Sequence, residues 1–70
     1  MKKLIKSYGL NSDMSYYEMI LESKVNGQTT QSRTQFFAMP KAHRKEFVKM
    51  LLFDRGETSQ SLQEFFFDLL

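Results

Sequence analysis

The 70-residue sequence has no cysteine and no tryptophan, and it has only one proline, three glycines and one histidine. Without cysteine there is no disulfide, no thiolate nucleophile and no cysteine-based zinc site. One histidine excludes a multi-histidine metal site within a single chain. The three glycines are isolated, so no phosphate-cradling loop is present. No apolar run approaches the ~20 residues of a membrane span, and no signal-peptide layout is seen. These absences lead to the expectation of a soluble, cytoplasmic chain with no membrane partner.

What is present is a large supply of aromatics. Hydrophobic residues make up 41% of the chain, with 7 Phe and 3 Tyr. A chain of this size buries about 60% of its unfolded surface. Ordering costs roughly 1.5 kcal/mol per residue, so a compact aromatic core is required to offset it. The net charge of +2 hides an asymmetry. Residues 1–55 hold all ten Lys and Arg against five acids, a net +5. Residues 56–70 hold Glu57, Glu64 and Asp68 and no base, a net −3. A basic body with an acidic, Phe-rich end has two different faces, or else an end that neutralises the body by folding back on it.

The breakers and apolar spacings predict helices throughout. Lys2, Lys3 and Lys6 surround Leu4, Ile5 and Tyr8, and Gly9 ends the segment. Residues 1–12 are therefore read as a short helix or a basic arm. Ser15 stands three before Glu18, the spacing of a capping box, and predicts a helix from Tyr16 to about Val25, stopped by Asn26-Gly27. It is apolar on two sides, Tyr16, Met19, Ile20 and Ser23 against Tyr17, Leu21 and Val25, which predicts a central helix. A second helix runs from Thr29 or Thr30 to Ala38, with Ser32, Phe36 and Met39 on one face. Pro40 forces a corner and opens a third helix to Phe53. Its core arc is Phe47, Val48, Met50 and Leu51, and Lys41, Lys45 and Lys49 form a stripe away from it. Asp54-Arg55-Gly56 is expected to close it. The last helix follows a Thr58 or Ser59 cap, with Leu62, Phe65, Phe66 and Leu69 at i, i+3, i+4 and i+7. Phe67 falls outside that arc, beside Gln60 and Glu64.

No catalytic constellation is legible. His43 has Met39 and Phe47 at helical spacing and no carboxylate. Glu18 and Glu22, four apart, read as a solvated strip or partners for Lys. The reading assigns no catalytic, cofactor or metal-binding residue and no cofactor, and expects a non-enzyme. The helix pair around Met39-Pro40 invites comparison with a helix-turn-helix. In that comparison Lys41, Arg44, Lys45 and Lys49 suit phosphate contact, and only Arg44 is of a base-reading type placed outward. Its stem also suits a place over Phe47 and Val48.

Two resemblances add to this. Ser59, Leu62, Phe65 and Phe66 resemble the spacing of sliding-clamp-binding peptides, with Ser59 where that family carries Gln. Ser15-Tyr16-Tyr17-Glu18-Met19-Ile20, Asn26-Gly27-Gln28, and Phe36-Phe37 through Met39-Pro40-Lys41 to Arg44-Lys45-Glu46-Phe47 are similar in style to small helical orphan proteins of phages and conjugative elements. That resemblance implies a non-enzymatic accessory protein that binds a macromolecule of the host or element, as an inhibitor or adaptor of a host factor. The expected fold is all-α, three to four short helices in a compact small bundle, one domain over 1–70, with 57–70 as a Phe-rich acidic C-terminal helix. The expected partner is a protein, or a second copy, met by Leu62, Phe66, Phe67 and Leu70. The alternative is a nucleic-acid-binding accessory or transcriptional regulator using Lys41, Arg44, Lys45 and Lys49.

Overall fold

The computed structural model describes residues 1–53 and 59–70. Five α-helices follow one another, and no strand occurs among the described residues: α1 Lys2–Ser7, α2 Asp13–Val25, α3 Thr29–Ala38, α4 Lys41–Phe53 and α5 Gln60–Leu69. The all-α expectation holds, with five helices where three to four were predicted. The fifth is α1, the segment left open between helix and arm. The chain divides into two compact units, Met1–Pro40 and Lys41–Leu70.

In the first unit, glycine ends two helices in the same way. Gly9 and Gly27 have φ of 71° and 82°, left-handed values that cost glycine nothing. After α1, the amides of Gly9 and Leu10 donate to the carbonyls of Lys6 and Ile5. After α2, those of Gly27 and Gln28 donate to Lys24 and Ser23. Both are Schellman closures, which satisfy carbonyls that the helix end leaves open. Gly27, with Asn26 as C-cap, therefore stops α2 where the sequence predicts.

The start of α2 corrects the sequence reading. The cap is Ser12, not Ser15: its extended backbone positions Oγ to accept from the Ser15 amide at 3.1 Å. Ser15 lies within the first turn, its hydroxyl donating to Asn11 Oδ1. Both serines precede a helix-forming run by the right spacing. With Ser12 as the cap, Asp13 occupies the first turn, where a carboxylate complements the helix dipole.

Helices α2 and α3 are held together by apolar burial and by interhelical hydrogen bonds, among them three that are buried. Tyr16, Tyr17, Ile20, Phe36 and Met39 are buried. The Tyr16 hydroxyl donates to the Gln35 carbonyl at 2.7 Å, Ser23 Oγ donates to Gln35 Oε1 at 3.0 Å, and Ser32 Oγ donates to the Ile20 carbonyl at 3.0 Å. Buried hydroxyls and amides are tolerated because they are paired in this way. Burial, with the nearby Tyr8 phenol adding to it, pushes the Tyr16 hydroxyl up to about 12. Val25 is well exposed, so α2 buries a narrower arc than the apolar-all-round reading requires. Met39 is extended, as a residue before proline prefers, and α3 ends there.

The second unit is the α4 and α5 hairpin. Phe47, Val48 and Leu51 of α4 and Phe66 of α5 are buried. The Phe66 ring meets Phe47 edge-to-face at 5.0 Å and Phe65 at 4.9 Å. Such pairs contribute about 0.5–1.5 kcal/mol beyond area burial. Ser59 caps α5, its Oγ accepting from the Leu62 amide at 3.4 Å. Gln63 Nε2 donates to the Leu51 carbonyl at 2.8 Å, satisfying one of the last α4 carbonyls. The Asp54-Arg55-Gly56 closure and the Thr58 cap lie outside the described residues.

Candidate functional site

The α4–α5 hairpin carries both sets of residues that the sequence singles out. On α5, Gln60, Glu64, Phe67 and Asp68 share one face by helical spacing, turned from the Phe66 side. Phe67 is 54% exposed and Leu70 57%, while Leu62 is half-buried. Phe66 is fully buried, which removes it from any binding face and places it in the core. The same burial removes one of the two aromatics on which the likeness to a clamp-binding peptide rests. On α4, Lys41, Lys45 and Lys49 are exposed and Arg44 is half-buried.

Leu52 and Phe53 were missed by the sequence reading. They are 46% and 70% exposed. Leu52 follows Lys49 by three and Lys45 by seven, so it extends the lysine stripe. That spacing is the signal that marks it as outward. Leu52 joins Gln60, Gln63, Glu64, Phe67 and Asp68 in lining an open groove of about 290 Å³. The groove therefore has two apolar side chains, one from each helix, with two carboxylates on its α5 side.

The two helices run antiparallel, because Gln63 meets the Leu51 carbonyl and Phe66 meets the Phe47 ring. Stepping along both from these two anchors sets Lys49 level with Glu64 and Lys45 level with Asp68. Among the described residues, none of these four charges enters an ion pair, and Glu64 accepts from Gln60 Nε2 at 3.1 Å. The hairpin thus displays a basic stripe and an acidic stripe in parallel, with Leu52 and Phe67 on the groove they share.

In the first unit a smaller, more polar cleft of about 200 Å³ lies among Tyr8, Met19, Glu22, Ser23, Gln31 and Gln35, among others. His43 is half-buried, and Glu18 and Glu22 are exposed. Among the described residues no three His, Asp or Glu side chains gather closely enough to hold a metal ion. Among the same residues no helix is long and apolar enough to cross a membrane.

Comparison with protein-family models, with curated proteins and with solved structures returned no match for the chain. The reading of the site therefore rests on its own geometry.

Proposed function

We propose that this chain is a non-enzymatic binding protein, a cytoplasmic accessory protein of the phage or mobile-element type, which acts by protein–protein contact through the α4–α5 hairpin. The observation that carries this reading is the Leu52–Phe67 groove, where two large apolar side chains, about half exposed, stand beside the Glu64 and Asp68 carboxylates. Exposed aromatics beside charge are costly in a free chain, and contact hot spots are enriched in them. Phe67 and Leu70 are the anchors of the face, Leu52 adds a contact from α4, and Leu62, four residues before the buried Phe66, belongs to the core side.

A second reading is supported by the exposed Lys41, Lys45 and Lys49 stripe, which suits a phosphate backbone. Arg44, the member of that set best able to read a base, is half-buried, so this face favours sequence-independent contact.

A photocrosslinking amino acid placed at position 67, and separately at position 45, in cells that naturally make the chain separates the two. Protein adducts from position 67 support the protein-binding reading. Nucleic-acid adducts from position 45, with none of protein from position 67, would overturn it.

A further inference from the structure

The charge pattern of the hairpin is complementary to itself. We infer that the α4–α5 face is the contact surface of a homodimer, two hairpins packing face to face as a four-helix layer. This rests on the reading of the Leu52–Phe67 groove as a protein interface, and it names the partner as a second copy of this chain.

The argument is one of register. A two-fold axis lying in the contact plane and parallel to the helices places α4 of one copy over α5 of the other. It leaves the level of each residue along the axis unchanged. Because Lys49 is level with Glu64 and Lys45 with Asp68 in a single hairpin, the operation sets Lys49 over the other copy's Glu64 and Lys45 over its Asp68. Each contact occurs twice, as an isologous interface requires. The apolar groove residues Leu52 and Phe67 lie on the face that the two copies share, with Glu64 and Asp68 lining the groove beside them. A wholly foreign partner has no reason to demand opposite charges at matched levels on two neighbouring helices. A nucleic acid would be repelled by Glu64 and Asp68 beside the lysines.

The test is the mass of the full chain by sedimentation equilibrium, from about 1 to about 500 µM in low salt, the range in which small interfaces dissociate. The expected result is a monomer–dimer equilibrium that weakens several-fold at about 1 M salt, where the screening length falls to about 3 Å. Lys45→Glu with Lys49→Glu makes all four facing charges acidic, and Glu64→Lys with Asp68→Lys makes all four basic. Each double variant is expected to dissociate at least about tenfold more readily than the unaltered chain. An equimolar mixture of the two is expected to recover a heterodimer, because both contacts are then complementary. All four positions are exposed, so circular dichroism should report unchanged helix content; the neutral pair Lys45→Gln with Lys49→Gln repeats the test at half the charge change. An unaltered chain that stays monomeric at the highest concentration overturns the inference. So does a dimer whose dissociation constant moves less than about twofold in both charge variants, or two variants that fail to pair. A monomer whose position 67 crosslinks to another protein overturns the homodimer alone and leaves the protein-binding function standing. A monomer with no such crosslink overturns both.

Discussion

Phe66 and Phe67 are chemically identical neighbours with opposite environments, and truncating each in turn tests the rotation of α5. Phe66 is fully buried and in edge-to-face contact with Phe47 and Phe65. Phe66→Ala loses the transfer free energy, the two ring contacts and the packing around the cavity, a total of about 3–5 kcal/mol. Phe67 is 54% exposed, so it holds just under half of the roughly 1.5–3 kcal/mol that full burial of a Phe is worth. Phe67→Ala should therefore cost about 1 kcal/mol. A domain of this size is stable by only about 4–10 kcal/mol, so the first variant forfeits much of its fold. The second should shift its thermal midpoint by about 4–8 °C. Both are measured by urea denaturation followed by far-ultraviolet circular dichroism. The protein must be dilute, because self-association adds stability by mass action and would inflate the Phe67 effect. Equal losses at the two positions, or a larger loss at Phe67, would show that α5 is rotated from the orientation described and that Phe67 belongs to the core.

Two further outcomes follow from the first unit. Ser12→Ala should cost about 1 kcal/mol by removing the α2 cap, and Ser15→Ala clearly less, because its hydroxyl contacts only exposed side chains; a larger loss at Ser15 in the denaturation midpoint would move the helix start back to that residue. Tyr16→Phe should cost about 1–2 kcal/mol through the lost hydrogen bond to the Gln35 carbonyl. The same variant has a pH signature. The folded Tyr16 hydroxyl ionises near 12 and the unfolded one near 10. The unfolded state thus releases its proton first, and stability from this group is present below pH 10 and is lost as pH rises toward 12. Unfolding free energies measured from pH 8 to 11.5 should fall more steeply for the unaltered chain than for Tyr16→Phe. Parallel slopes would mean that the hydroxyl is not held protonated by the fold.

The sequence by itself determined that the chain is helical and where most of its helices stop. Pro40 and the glycines at 9 and 27 act through backbone dihedrals, and the apolar arcs act through a period of 3.6. Both are local causes, readable without knowing any neighbour. The core face of α4 and the outward turn of Phe67 are legible for the same reason, and Ser59 is one of the two α5 caps that the spacing allows. Tertiary structure decided what local spacing leaves degenerate. Two serines three apart both satisfy a cap rule, and the structure places Ser12 at the cap and Ser15 in the first turn. Phe65 and Phe66 both lie on the apolar arc, and Phe66 is the fully buried one, its ring against Phe47. Ser23 and Ser32 share faces with apolar residues in the sequence pattern, but the burial of Gln35 beside them depends on hydrogen-bond partners on the facing helix. The groove beside Leu52, and the alignment of Lys45 and Lys49 with Asp68 and Glu64, depend on the level at which two antiparallel helices meet. That level is fixed by Gln63 on the Leu51 carbonyl and by Phe66 on Phe47, contacts between residues far apart in the chain, which no window of sequence contains.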